Sequence, residues 1–389
     1  MSTIRFNVPN TVGREADYLK EVLEQGHLSG DGPFTKKCHA WLSSNIGGRA
    51  LLTHSCTGAL EMACLLANLE PGDEVILPSY TFVSTANAVA LRGAVPVFVD
   101  IREDTLNIDE SLIEAAISDK TKAIIAVHYA GVVAEMDAIN KIAERHDLFV
   151  IEDAAQALFS TYHGRQAGTL SHAAAFSFHE TKNYICGEGG AICINDPQLV
   201  ERAEIIRDKG TNRQKFFRGE VDKYTWVEVG SSFVPSEINC AFLYGQLEQS
   251  QTINERRREV YDTYHHHLES LETDGLLRRP QVPDDCRMNN HMYYILVADR
   301  NTRDGLIDYL GENGIHAVFH YVPLHMSPIG QQLGYSEGQF PKTEQLSSRL
   351  LRLPFFYELN RDDQMHVVKH VDAFLRRTSK PQVMSQSAD

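Results

Sequence analysis

The 389-residue sequence predicts an α/β protein, with a large domain on a mostly parallel sheet followed by a smaller α+β C-terminal domain. Three observations predict it. Between Leu51 and Asp196, short apolar runs alternate with helical stretches. The runs are apolar throughout, as strands covered on both faces should be. Beyond Leu243 the texture changes to long, charged helical segments with few strands.

In chain order the strand-like runs of the first part are "EVILP", "VPVFVDI", "KAIIAVHYA", "LFVIEDAA", "AAAFSF" and "GGAICIND". "GALEMACLLANL" and "VSTANAVALRG" are helices between them. "LYGQLEQSQTINERRREVYDTYHHHLESL" reads as one long charged helix. A strand "HMYYILVA", a helix "RDGLIDYLGENG", a strand "HAVFHYV" and a helix "DDQMHVVKHVDAFLRR" follow. The boundary falls near residue 250, giving domains 1–250 and 251–389. The polar end "TSKPQVMSQSAD" is expected to fray.

The formal net charge of -15 argues against binding DNA, RNA or an anionic membrane through the overall field. A local basic pocket can still take an anionic small molecule. The start, "MSTIRFNVPNTVGREADYLK", has no apolar core of a signal peptide, and no run is long enough to span a bilayer. The seven cysteines are scattered, with no C-x-x-C pair. They read as free thiols of a cytoplasmic protein, not as disulfides or a metal site.

Four segments carry chemistry, each at a strand end or a helix start. In "THSCTGAL" the turn at Thr57 and Gly58 opens a helix, whose free N–H groups and hydroxyls suit a phosphate. Helix capping by Ser55 or Thr57 explains the same residues. Asp153 ends the strand of "FVIEDAAQ". A buried carboxylate there needs a cationic partner, such as a protonated pyridine nitrogen, or else caps the following residues. Lys182, in "FSFHETKN", follows a strand closely; partial desolvation lowers a lysine pKa and makes the amine a nucleophile, although most lysines are simply solvated. Phe82, in "PSYTFVST", either stacks on a flat ring or packs in the core. No Walker A or G-x-G-x-x-G motif follows a strand, so nucleotide hydrolysis and nicotinamide binding are unsupported. A phosphate cup, a stacking face, a carboxylate and a lysine are together what pyridoxal 5'-phosphate (PLP) requires.

These segments also carry a resemblance. "PGDEVILPSYTFVSTANAVALRGAVPVFVDI", "VHYAG", "VIEDAAQ", "FSFHETKN" and "EGGA" resemble the DegT/DnrJ/EryC1/StrS sugar aminotransferases of the aspartate aminotransferase (PLP fold type I) superfamily. The similarity runs from "FNVP" to "RLLRLPFFYEL". "FSFHETKNY", "KGTNR", "FFRGEVDKYTW" and "VFHYVPLH" look most like the subfamily that aminates dTDP-4-dehydro-6-deoxyglucose at C4, giving dTDP-4-amino-4,6-dideoxygalactose. The resemblance implies that fold, PLP as cofactor, L-glutamate as amino donor, a dTDP-linked nucleotide sugar as acceptor, and a homodimer with shared active sites. It implies Lys182 as the Schiff-base lysine, Asp153 as the pyridine-nitrogen partner and Gln156 at the cofactor ring. Phe82 would be the stacking aromatic, with Thr57, Gly58 and Ser177 around the phosphate. Where many members place a partner-subunit asparagine, this chain has Val234, with Ser231 and Ser232 beside it.

For the nucleotide sugar, "KGTNRQKFFRGEVDKYTW" interleaves Lys209, Arg213, Arg218 and Lys223 with Phe216, Phe217, Tyr224 and Trp226. Those residues either bind the diphosphate and base or form a solvated loop. His320, Tyr321 and His325 are expected at the sugar end, and His265, His266 and His267 in solvent. Several alternatives stand: the gluco epimer, a C3-keto or UDP-linked sugar, another PLP reaction such as aldol cleavage or desulfuration, and a non-catalytic regulator. Loss of the PLP residues would be expected of a regulator, and here they are complete.

Overall fold

The computed structural model describes residues 3–378. The expected fraying of the C-terminal stretch lies outside these residues. Seven strands form the main sheet: β1 (Arg49–Thr53), β2 (Glu74–Pro78), β3 (Val95–Val99), β4 (Thr121–Val127), β5 (Phe149–Asp153), β8 (Ala173–Ser177) and β9 (Gly190–Ile194). Two-residue strands β6 (Thr161–Tyr162), β7 (Arg165–Gln166) and β10 (Cys286–Arg287) make a small second sheet. A third sheet pairs β11 (Tyr294–Leu296) with β12 (Leu350–Arg352).

The main sheet has the order β1-β9-β8-β5-β4-β2-β3. Strands β3, β2, β4, β5 and β8 are parallel neighbours, and β9 runs antiparallel to both β8 and β1. Side chains alternate between two buried layers. Ile76, Ile124, Val150, Ala174 and Ala191 face one core, while Val75, Ile125, Ile151, Ala175 and Ile192 face the other. That double burial explains why the runs are apolar at successive positions, with polar residues mostly at strand ends. A third core gathers Val260, Tyr264, Ile295, Leu306, Leu351 and Val371 from the C-terminal part, with Ile4 from the N-terminal segment. Tyr80 and Tyr129, from the loops after β2 and β4, pack with Met292, Tyr294 and Leu350. This fourth cluster seats the two-stranded sheet at the carboxyl edge of the main one.

Two expectations are corrected. The long helix is three: Glu237–Glu248, Ser250–His267 and Glu269–Thr273, with non-helical dihedrals at Gln249. The burial pattern contains the reason. Leu247 and Ile253 are both buried but six residues apart, about 240° around a continuous helix. The interruption lets Leu247 and Ile253 face the same core, while Val260 and Tyr264, further along the second segment, reach the C-terminal one. The expected strand "HAVFHYV" is a loop that keeps one bridge, Val318 to Arg352. Tyr321 sits at φ 52°, a left-handed conformation that ends extended backbone. Among the described residues no helix is long and apolar enough to cross a membrane.

Candidate active site

The carboxyl ends of β1, β2, β5 and β8 open on one cleft of about 490 Å³. Because β9 is antiparallel, its first residue, Gly190, lies at this same edge, opposite Thr53 and Ser177. Thr57, Phe82, Asp153, Gln156, Ser177, Lys182, His320 and Tyr321 all line the cleft. They are drawn together from 265 positions of sequence by the strand order of the main sheet and by the packing of the His320–Tyr321 loop on Tyr80, Tyr129 and Gln156.

Lys182 follows a tight turn in which its N–H donates to the His179 carbonyl. Its neighbour Asn183 is buried, receives the His291 ring at 2.9 Å and donates to the Asn289 carbonyl. Burial pulls the Lys182 pKa below that of an ordinary lysine. Cys56 and Asp153 oppose this shift, and the charge of Arg352 adds to it. Among the described residues its Nζ has no hydrogen-bond or ion-pair partner.

Asp153 lies at the cleft floor, buried, with Oδ2 accepting the Thr85 hydroxyl at 2.7 Å and Oδ1 accepting the Ala155 N–H at 3.2 Å. The adjacent Glu152 points into the opposite core. It accepts from the Gly168 and Leu170 amides and the Ser171 hydroxyl, and meets the His128 ring at 2.9 Å. This clamp fixes the end of β5, and with it Asp153.

The helix Cys56–Leu66 starts at the cleft, its first turn capped by the Ser55 hydroxyl, which accepts the Gly58 N–H at 3.0 Å. Thr57 shares a 2.7 Å hydrogen bond with Ser84. Gly58 itself stands back from the cleft, against His54 and Phe233. Gly190 lets this helix start press against β9: a Cβ there would come closer than 3.0 Å to the Cys56 amide nitrogen and the Ser55 carbonyl carbon. Gly190→Ala is expected to destabilise the fold by about 1–3 kcal/mol through this overlap, as a shift of the urea midpoint.

Phe82 is 54% exposed, so it does not serve as core packing. Its ring is 6.0 Å from that of Tyr321. Gln156 ties the wall together, with Oε1 accepting the Ala130 N–H at 2.7 Å and Nε2 donating to the Tyr321 hydroxyl at 3.0 Å. The Tyr129 hydroxyl meets His320 Nδ1 at 2.7 Å, and the Tyr80 hydroxyl donates to the His320 carbonyl at 2.8 Å.

The remaining predicted contacts separate. Lys209 and Arg213 line a second cavity of about 390 Å³ with Asp31, Asp208, Ser232 and Val234. Lys223 and Tyr224 line neither cavity, although the Arg213 guanidinium lies 5.9 Å from the Tyr224 ring. His325 is not at the sugar end: it is fully buried between the Ser79 hydroxyl at 2.6 Å and Glu344 at 3.0 Å. His265 is not free in solvent either, but stacks on Tyr261. Sequence reasoning missed Thr85, His291 and Arg352. The first two carry no local signal. Arg352 does, as a lone charge inside the apolar run "LLRLPFF".

Burial holds His39, His291 and His320 well below the ordinary histidine value of 6.5. They stay neutral in the fold while the unfolded chain takes up protons. The unfolded state therefore binds more protons below about 6.5, so stability is full above that pH and falls as the pH drops. Urea unfolding at pH 7 and pH 5 should show this loss, at up to about 1.4 kcal/mol per pH unit for each histidine. His320→Asn should make the slope shallower.

The DegT/DnrJ/EryC1/StrS aminotransferase family model matches residues 9–372. The spore coat polysaccharide biosynthesis protein SpsC of Bacillus subtilis is 35% identical over 94% of this chain and 95% of its own. Among solved structures, Spr1654 from Streptococcus pneumoniae in its PLP-form superposes with a TM-score of 0.89 at 25% identity, covering 97% of this chain and all of that one. Helicobacter pylori PseC, an aminotransferase involved in the biosynthesis of pseudoaminic acid, gives 0.88 at 27% identity over 97% of this chain and 100% of its own.

Proposed function

The chain belongs to the DegT/DnrJ/EryC1/StrS aminotransferase family, and we propose from that premise that it is a PLP-dependent nucleotide-sugar aminotransferase. It moves the amino group of L-glutamate to C4 of dTDP-4-dehydro-6-deoxy-D-glucose, giving dTDP-4-amino-4,6-dideoxy-D-galactose and 2-oxoglutarate. The observation that carries this reading is the sharing of one cleft by Lys182, Asp153 and a helix start.

The residues present fit PLP. A lysine amine without a protein partner faces a buried carboxylate, and the Thr57–Ser84 hydroxyl pair stands beside free helix N–H groups. When bound, the cofactor supplies an electron sink for the carbanion formed at the reacting carbon. Lys182 would hold it covalently. The Asp153 carboxylate would keep a proton on the pyridine nitrogen, and Thr85 and the Ala155 N–H hold that carboxylate in place. Ser55, Thr57, Ser177 and the helix start, with Gly58 in its first turn, would hold the phosphate. Phe82 would supply a stacking face for the cofactor ring, and Gln156 would stand beside that ring. Lys182 Nζ takes the proton from the donor Cα in one half-reaction and delivers a proton to sugar C4 in the other. Its lowered pKa keeps the free amine available at lower pH than for an exposed lysine.

Lys209, Arg213, Lys223 and Tyr224 lie apart from this cleft, so in the proposed homodimer they serve the partner's site and its nucleotide. The exposure of Phe217 at 62% and Trp226 at 74% supports a covered role for this loop. Free thiols throughout the described chain suit a cytoplasmic enzyme.

The test is a product assay with PLP, L-glutamate and dTDP-4-dehydro-6-deoxyglucose, read by proton NMR. A small H3–H4 coupling marks an axial amine and the galacto product, as proposed. A large coupling marks the gluco epimer, and the absence of any aminated sugar removes this substrate.

A further inference from the structure

We propose, resting on the functional reading above, that His325 is a positioning residue: its buried ring locks the loop that brings His320 and Tyr321 to the cleft onto the loop that brings Phe82 there. Ser79, the first residue after β2, starts the Phe82 loop. Ser79 and His325 are both fully buried. Three hydrogen bonds join the two loops at this point. The Leu324 N–H donates to the Ser79 carbonyl at 2.9 Å, the His325 N–H donates to the Ser79 hydroxyl oxygen at 3.2 Å, and that hydroxyl meets the ring Nδ1 at 2.6 Å. On its far side the ring Nε2 lies 3.0 Å from Glu344 Oε1.

The partners place the ring hydrogen. The Ser79 hydroxyl has no other acceptor among the described residues, so it donates to Nδ1. Nε2 then carries the hydrogen and donates to the carboxylate. None of Ser79, His325 and Glu344 lines the cleft, so this serine–histidine–glutamate chain acts on loops and not on a substrate. Its far end is anchored. Glu344 lies in the first turn of the helix Pro341–Arg349, and Asp100, the residue after β3, accepts the Thr343 N–H at 2.8 Å and the Thr343 hydroxyl at 2.7 Å.

The loop needs such an anchor because its backbone supplies none. From Phe319 to Val322 no backbone N–H finds a partner among the described residues, and Pro323 has no N–H to give. Side chains hold it instead. The Tyr80 hydroxyl donates to the His320 carbonyl at 2.8 Å, and Gln156 donates to the Tyr321 hydroxyl at 3.0 Å. Tyr80 directly follows Ser79, so the two loops are pinned at two points, with Tyr321 held at φ 52° between them. The 6.0 Å approach of the Phe82 and Tyr321 rings, which shapes the cleft wall, depends on that register.

The test takes the joint apart arm by arm. His325→Gln keeps a donor for Glu344 and loses the acceptor for Ser79, whereas His325→Asn keeps the acceptor and loses the reach to Glu344. Ser79→Ala deletes the hydroxyl alone and serves if His325→Gln does not fold. In full-length protein without cofactor, His325→Gln and Ser79→Ala should each speed hydrogen exchange at least about tenfold in both loop peptides, 79–85 and 318–326. His325→Asn should leave peptide 79–85 closer to the wild type. In the PLP-loaded enzyme, well below its melting temperature, His325→Gln and Ser79→Ala should lower the limiting rates of both half-reactions roughly 10- to 100-fold, and the double variant should lose little more than either single one. A merely structural role would lower the melting temperature and leave those rates unchanged, and that result overturns the proposal. So does faster exchange confined to one loop, or additive losses in the double variant. Failure of L-glutamate to convert the wild type overturns the functional reading, while exchange in the cofactor-free protein still decides whether His325 joins the two loops.

Discussion

Lys182→Ala should lose at least about four orders of magnitude in transamination, because one side chain supplies both the covalent attachment and the proton transfer. The loss should fall on both half-reactions, as neither substrate's proton has another carrier at that atom. The fold should not suffer. Lys182 Nζ makes no hydrogen bond among the described residues, and burial disfavours its charged form. A lysine pKa depressed in the fold means that the unfolded chain binds more protons between the folded value and 10.5, so the charge opposes folding at neutral pH. Cofactor-free Lys182→Ala is therefore expected to melt no lower than the wild type. A variant that keeps multiple turnover contradicts the assignment, and one that is inactive only because it is unfolded fails the melting comparison.

Asp153→Asn should lower kcat roughly 100- to 1000-fold with little change in fold. The amide keeps the shape and can still accept from the Thr85 hydroxyl, but it carries no charge to hold a proton on the pyridine nitrogen. The cofactor absorbance should respond to pH differently from the wild type, which a purely structural role would not produce. Thr85→Val should give a smaller loss in the same direction, since it removes the 2.7 Å hydrogen bond that aims the carboxylate and leaves the carboxylate itself. Normal kcat in Asp153→Asn would remove this residue from the mechanism.

The parts of the site legible in the sequence were those that sit on regular elements with a local marker. Asp153 and Lys182 follow apolar runs that could only be strand interiors, and the "SCTG" turn announces a helix start. The strands were legible because the sheet is covered on both faces, which writes an apolar run into each one. Side chains that matter through distant partners were not legible. Thr85 reaches Asp153 across 68 positions, and His291 reaches Asn183 across 108. The split of the long helix was written in the spacing of Leu247 and Ile253, but charge patterning hid it. The loop at Tyr321 looked extended because its residues suit a strand. Its left-handed backbone is imposed by tertiary contacts with Gln156 and Phe82.

Borohydride reduction of the PLP-loaded protein, followed by peptide mass spectrometry, tests the central claim most directly. The account predicts a single phosphopyridoxyl group on the peptide that contains Lys182, absent from Lys182→Ala. A label on a different lysine, or no label on protein that has bound the cofactor, would contradict it.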